Sequence, residues 1–436
     1  MDKKFLYILA YFLFFNASFV FLVPPFEAND EPYHLEYINY IVKNSSLPNQ
    51  LNEKEKVNIE GHQFPLYYIF AGSLIKLIWG NSPVNFSLIY NKKHFTAGGT
   101  ESLVPVFNHL YNNPFLDSES KTKFYFLRML SLSLAALNLF FIYKIASLFF
   151  HNNKAVLLCV FFAASLPQFI FISSTISNDN LANLLSSAAI FTFLKYLKKP
   201  SLKSVIVFGI LFSLCIITKK TLFFLIPAVF LSLVYSFYKK TIHKKSVFAF
   251  LFFAIALAAL VSGWFFYRNY IQYNDIFLSE IEKLTVPMHY SPKPIYSLYF
   301  LYPFIPGLFG SFIGVFGWMN AAIPLFAYVI YFFIFLLCVA GIIKNKSFKK
   351  LSPEKIFTLS SILICLAGIV YYNLSYSQHQ GRFLFPVLAL IAAGTTAGLQ
   401  KLLEKNFNKA KTFLYAMFVL VKFVSVYVIY RFSYIE

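Results

Sequence analysis

Long stretches without a charged side chain recur along most of this 436-residue chain. An α-helix needs about 20 consecutive apolar residues to cross the hydrocarbon core of a bilayer. Eleven candidate stretches are present: 5–23, 126–150, 155–176, 181–197, 203–218, 220–238, 246–266, 322–343, 355–373, 384–400 and 412–430. Of these, 203–218 and 384–400 are short. The predicted fold class is all-α, a polytopic integral membrane protein with about 11 transmembrane helices. Only 13% of the residues are charged, against about 25% in a soluble domain, and the mean hydropathy is +0.63. The first stretch lacks a small-residue cleavage site and runs straight into acidic residues, so it reads as a retained helix. The cysteines Cys159, Cys215, Cys338 and Cys365 all fall in apolar stretches. They are expected to be free buried thiols, with no disulfide framework and no zinc site.

The connecting segments alternate in charge. "MDKK", "HNNK" (151–154), "KKPSLK" (198–203), "KKTIHKK" (239–245), "KNKSFKK" (344–350) and "KLLEKNFNKAK" (401–411) fall on one side under the eleven-span count. The positive-inside rule makes that side cytoplasmic, the N-terminus included, in a multi-pass protein of the cell (plasma) membrane. The net charge of +20 is therefore topological, and nucleic acid is not an expected partner. Of the 18 acidic residues only Asp2, Glu354 and Glu404 are on the lysine-rich side, and ten of the other fifteen lie in the first external loop. The four arginines, Arg128, Arg268, Arg382 and Arg431, also sit at or near the outer surface. Guanidinium groups there suit phosphate recognition, because paired donors fit phosphate and the charge persists in a partly dry site; the alternative is that four arginines fall outside by chance.

The chain reads as a single transmembrane domain over 1–436, with long external loops at 24–125 and 267–321. In the first loop, Pro32 suits the first turn of a helix over 32–43, with Asp30 or Glu31 at its cap. The apolar run 65–79 is too short to span and predicts an interfacial helix ending at Trp79. Residues 80–122 read as an irregular insertion.

Five constellations could carry chemistry. "PPFEANDEPYHLEY" (24–37) sets Glu27, Asp30, Glu31 and His34 at the mouth of the first span. Such carboxylates could act as a general base or, with the histidine, hold a divalent cation. They could equally be a solvated helix cap. "SNDN" (177–180) puts Asp179 in the second external turn, where a plain N-cap is the alternative. "TKK" (218–220) places Lys219 and Lys220 outside, against the charge rule, as an anion contact or as surface lysines. "HQGRFLFP" (379–386) starts a span with Arg382, a phosphate clamp or part of an aromatic belt. "YRNYIQYND" (267–275) places Arg268 at the end of one. Lys422 lies near the middle of the last span, where a lysine is costly; it is expected to snorkel or to find a pairing partner. There is no glycine-rich phosphate loop, and the cytoplasmic segments are too short for a catalytic domain.

These motifs, in this order, together with "GHQFPLYY", "LPQFIFISSTISNDNLANLL", "FGILFSLCIITKKTLFFLIP" and "SFIGVFGWMN", resemble a family of bacterial membrane proteins related to GT-C glycosyltransferases. They are similar to the protein-mannosyltransferase and lipid A aminoarabinose transferase group, over nearly the whole chain. The resemblance implies a GT-C-like membrane glycosyltransferase that moves a sugar from a polyprenyl-phosphate donor to a hydroxyl of a glycan, lipid or protein acceptor outside the cytoplasm. It implies Asp30, with Glu31 beside it, as the catalytic acids, Asp179 as a second, supporting acidic position, and Lys219 and Arg382 as donor-phosphate contacts; the residues' own placement adds Glu27 and His34 as supporting groups and Arg268 and Arg128 as further phosphate contacts. It also implies that the helices of the first loop roof the site. A divalent metal is compatible with the acids, but no cofactor is established by them. The competing readings are an envelope polysaccharide polymerase or ligase, a lipid or sugar transporter or flippase, and a non-catalytic scaffold.

Overall fold

The computed structural model describes residues 2–91, 105–107, 113–344 and 351–434. Part of the expected insertion at 80–122 and most of the lysine-rich turn at 344–350 lie outside the described residues. Helices dominate throughout. Helix α1 (Lys3–Leu22) is followed by two helices of the first loop, α2 (Glu31–Asn44) and α3 (Leu66–Trp79), where the residue pattern predicts them. Helix α4 (Ser118–Phe149) starts at Asp117, whose carboxylate accepts the Ser120 N–H at 2.6 Å. Then come α5 (Asn153–Ser165), α6 (Pro167–Ser173), α7 (Asn178–Lys198), α8 (Leu202–Ile216), α9 (Leu225–Tyr238) and α10 (Lys244–Tyr273). The second loop contains α11 (Ser279–Thr285), α12 (Ile305–Ile313) and a small antiparallel hairpin. In the hairpin, β1 (Val315–Phe316) pairs with β2 (Ala321–Ala322) in the register Val315↔Ala322. Helices α13 (Leu325–Lys344), α14 (Pro353–Asn373), α15 (Leu388–Leu403) and α16 (Phe407–Tyr434) complete the bundle.

Among the described residues, eight helices are long and apolar enough to cross a membrane, or nine if one bent pair counts as a single span. The protein is multi-pass, but the expected count of eleven is not reached. Two stretches fall short for different reasons. Helix α8 has only 15 residues. Helix α7 has 21, but includes Asp179, Asn180, Asn183, Ser186, Ser187 and Thr192. Those polar residues are tolerated because α7 is buried on nearly every face by protein, including α4 and α8. By contrast, α10 and α13 turn Ile255, Leu260 and Phe333 outward, which lipid accommodates and water would not.

The expected single span at 155–176 is instead the bent pair α5–α6, kinked by 62° at Leu166. Pro167 cannot donate a backbone N–H to extend α5, so it begins a new helix. The four cysteines are buried free thiols. Lys422 does not snorkel: it is fully buried in α16, and its Nζ has no partner among the described residues.

Helices α13 and α15 approach on small residues. A Cβ at Gly398 would meet the Cys338 backbone, and one at Gly341 would meet the Gly398 backbone. This contact fixes the C-terminal half of α15 against α13.

Candidate active site

The chain leaving α1 is clamped before the site forms. Arg128, near the start of α4, is fully buried and grips Glu31 with a two-point fork: Nε to Oε1 at 2.9 Å and Nη2 to Oε2 at 2.7 Å. Its remaining donors reach the carbonyls of Val20 (2.8 Å), Val23 (2.6 Å) and Pro24 (3.1 Å). Glu31 in turn accepts the N–H groups of Phe26 and Ile176, both at 2.9 Å. The clamp therefore joins the end of α1, the start of α2 and the turn before α7. Glu31, expected as a catalytic acid, and Arg128, expected as a donor-phosphate contact, here saturate each other and are both sealed from solvent, an arrangement that suits a structural clamp.

Glu27 and the half-buried Arg268 are also engaged in contacts that hold loop segments. The Glu27 carboxylate is fully buried and accepts the N–H groups of Phe107 (2.7 Å) and Val106 (3.0 Å), which pins the far part of the first loop. Arg268 lies within α10, which continues to Tyr273, rather than at a span end. It donates to the Pro48 carbonyl at 2.8 Å and stacks over Tyr273, holding the segment after α2.

Asp30, Asp179, Lys219 and Arg382 are brought together. Asp30 precedes α2 in a left-handed conformation (φ 67°), which Asp and Asn adopt more readily than most residues. Its backbone carbonyl starts the helix by accepting the His34 N–H at 2.9 Å. Its side chain makes no capping bond, so the expected carboxylate cap is absent. Instead Oδ2 pairs with Arg382 Nη2 at 2.6 Å. Asp179 is likewise not the cap of α7. Ser177 caps that helix by accepting the Asp179 N–H, and the Asp179 carboxylate turns inward. It lies 2.5 Å from Lys219 Nζ and 3.6 Å from Arg382 Nη1. One guanidinium thus spans two carboxylates, and its Nε has no hydrogen-bond partner among the described residues.

Local sequence explains both cations. Lys219 sits in extended backbone after α8 and reaches the first turn of α7, where Asn178 also accepts from it at 3.0 Å. Arg382 follows Gly381, where a Cβ would collide with the backbone of Leu308 and Phe312 in α12. Only glycine allows that approach. Phe383 lies under both cations, 5.7 Å from each.

The first loop closes one side of this centre. His34 Nδ1 is 2.8 Å from the Tyr68 hydroxyl, and Tyr68 stacks on Tyr37 at 3.9 Å. Gln63 accepts from Asn178 at 3.1 Å. Burial pushes the His34 imidazole down to about 3, so the ring is neutral. Burial and the nearby Asp30 charge hold the Glu60 carboxyl well above the usual carboxylate range. For Asp30, burial acts upward, but Arg382 and the other neighbouring positive charge outweigh it, and the group stays below its ordinary value. Asp30 also keeps 26% of its side chain exposed, against 3% for Asp179 and 8% for Glu60.

Ligand atoms of Asp30, His34 and Glu60 lie within 4.8 Å of one another, and Glu60 Oε2, 3.8 Å from His34 Nδ1, has no hydrogen-bond partner among the described residues. One imidazole and two carboxylates are a suitable donor set for Zn²⁺ or Mn²⁺.

A second buried network flanks the centre. Glu282 of α11 accepts from Lys220 (2.7 Å) and from the Tyr372 hydroxyl (2.8 Å), and lies 3.6 Å from His62. Gln63 joins the two networks through a 3.1 Å contact with His62. Glu60, His62, Gln63, Tyr68 and Glu282 carry no assigned role in the sequence reading. The available signal was the polar cluster "EGHQ" directly before the apolar run of α3.

The family pattern of predicted membrane proteins DUF2142 matches residues 13–391. The chain belongs to that family. Among curated proteins, none matches the sequence at a significant level. Solved structures do match. The Archaeoglobus fulgidus oligosaccharyltransferase in its apo form aligns at 13% identity and a TM-score of 0.58, over 99% of this chain and 56% of that one. This chain therefore spans little more than half the length of that protein. ArnT from Cupriavidus metallidurans bound to undecaprenyl phosphate aligns at 10% identity and a TM-score of 0.57, over 98% of this chain and 76% of ArnT. The same oligosaccharyltransferase in complex with zinc and sulfate aligns at a TM-score of 0.54, with 14% identity, over 98% of this chain and 52% of that one. The fold is that of the GT-C glycosyltransferases.

Proposed function

We propose that the protein is a glycosyltransferase that moves a sugar from a polyprenyl-phosphate donor to an acceptor hydroxyl on the outer side of the plasma membrane. The observation that carries this reading is the arrangement of Arg382 between Asp30 and Asp179, with Lys219 alongside and Nε unpartnered. Two cations and a partly exposed carboxylate meet at one end of the bundle. That set of charges suits a reaction in which a proton is removed on one side and a phosphate leaves on the other. The ArnT structure that shares the fold contains undecaprenyl phosphate, which supports a lipid-phosphate donor.

Asp30 takes the proton from the acceptor hydroxyl as its oxygen attacks the anomeric carbon. The new C–O bond forms while the bond from that carbon to the phosphate oxygen breaks, with inversion. The electron pair departs with the polyprenyl phosphate, whose growing charge is met by Lys219 and Arg382. The ion pair between Arg382 and Asp30 links the two events. A donor phosphate that draws Arg382 toward itself removes the partner that depresses the Asp30 carboxyl, so Asp30 becomes a stronger base when donor is present. Asp179 orients both cations, and neutral His34 stays clear of the proton transfer.

The unpartnered Glu60 Oε2 favours a metal-assisted form of the same reaction, in which Asp30, His34 and Glu60 would hold a divalent cation. Such an ion would supply Lewis-acid stabilisation of the phosphate. Transport is the weaker reading, because transporters set their ionisable sites near the bilayer midplane.

The test is to incubate the purified protein with labelled prenyl-phosphate sugars and envelope extracts. Label should pass into an acceptor with the wild type and fail to do so with Asp30→Asn. Equal transfer by both, or none by the wild type with any prenyl-phosphate sugar, would overturn the assignment.

A further inference from the structure

The end of the bundle opposite Asp30 holds a cavity of about 760 Å³. It opens between the last turn of α4, the first turn of α5, the last turn of α15 and the first turn of α16. Helices α4 and α15 thus run from the candidate site at one end, where Arg128 and Arg382 lie, to this cavity at the other. Phe149, Phe150 and Phe407 form an apolar wall, while Lys154, Gln400, Lys401 and one carboxylate, Glu404, face it with polar groups. Both lysines are exposed rather than locked into the core. Lys4 and Lys154 also lie close enough to Lys411 to act on its charge. Among the described residues, the carboxylates set against these four lysines are Asp2, which bonds Asn153, and Glu404, which lies in the cavity wall 3.6 Å from Lys401.

We propose that this cavity binds the headgroup of an anionic glycerophospholipid, such as phosphatidylglycerol. Three features select that ligand. The volume falls in the range of small-molecule sites, about 300–1,000 Å³. The cavity lies at the ends of membrane-crossing helices, at headgroup depth, and at the lysine-rich end that the charge pattern assigns to the cytoplasmic leaflet. Anionic lipid in that leaflet is drawn to basic pockets between helices. The lining also matches the ligand part by part. Lys154 and Lys401 meet the phosphate, Gln400 and Asn152 meet the glycerol hydroxyls, and the phenylalanines pack along the first acyl carbons.

The experiment is a thermal-unfolding titration of the full chain in a neutral detergent. Short-chain phosphatidylglycerol should raise the melting temperature by several degrees, whereas phosphatidylcholine of the same chain length should not. Glycerol 1-phosphate, which has the charge without the chains, should also leave it unchanged. Lys154→Gln/Lys401→Gln should abolish the phosphatidylglycerol shift. Lys199→Gln/Lys203→Gln removes the same charge from exposed positions at the same end that do not line the cavity, and should retain it. Equal shifts with phosphatidylcholine or glycerol 1-phosphate, or equal loss in both double variants, would overturn the proposal. If the first double variant fails to fold, native mass spectrometry of lipid retained by Lys401→Gln alone decides between the same outcomes.

Discussion

Asp30 and Glu31 are adjacent in the chain yet face opposite environments. Asp30 turns through its left-handed backbone toward Arg382 and partial solvent, while Glu31 is sealed against Arg128. Their substitutions should therefore separate. Asp30→Asn retains the backbone preference and should keep the wild-type melting temperature while lowering sugar transfer by about 10²–10⁴-fold, the usual share of a general base. Glu31→Gln should act on folding instead. Breaking one partner of a buried ion pair costs about 3–5 kcal/mol, and the melting temperature should fall sharply. A stable, inactive Glu31→Gln protein would show that the two roles have been exchanged.

Arg382 spans two carboxylates through different nitrogens, a geometry that a lysine ammonium cannot reproduce. Arg382→Lys should therefore recover little of the activity that Arg382→Gln loses, about 10²–10³-fold for a group that stabilises the leaving charge. Donor affinity, measured by titration with a prenyl phosphate, should weaken in both variants.

The α13–α15 contact gives a prediction remote from the chemistry. In Gly398→Ala the new methyl meets the Cys338 backbone, and neither helix can move without disturbing the other. Overpacking of this kind costs about 1–3 kcal/mol. The melting temperature should fall, and activity measured well below it should persist.

His62 makes stability depend on pH. Burial pushes its imidazole down to about 4, while the unfolded chain protonates histidine near ~6.5. Between those values the unfolded state binds a proton that the folded state refuses, so stability falls as pH falls through that window and this group adds nothing further below about 4. Melting temperatures followed from pH 7 to pH 4 should drop less steeply for His62→Gln than for the wild type.

Much of the fold was legible because span length and loop charge are strong, local signals. Helices form at all eleven expected positions. The polar character of α7 was visible as well, but the sequence does not say that protein rather than lipid surrounds it. Asp30, Asp179, Lys219 and Arg382 could be named as candidates because ionisable groups at span ends stand out against an apolar background. Their partners were harder to read. The Glu31–Arg128 pair joins residues 97 positions apart and the Asp30–Arg382 pair joins residues 352 apart. Spacing alone carries no information about either pairing. For that reason the sequence offers Arg128 and Arg268 as phosphate ligands, while the structure sets their donors against backbone carbonyls and, for Arg128, against Glu31.

Lys219 and Lys220 are consecutive, and they are tethered to different parts of the molecule: Asp179 of the buried core helix and Glu282 of the second loop. A phosphate that competes for Lys219 pulls on a two-residue hinge whose other arm is already anchored. Under the proposed function, donor release would thus be coupled to the contact between the membrane bundle and the second loop that covers it, through the Lys220–Glu282 pair.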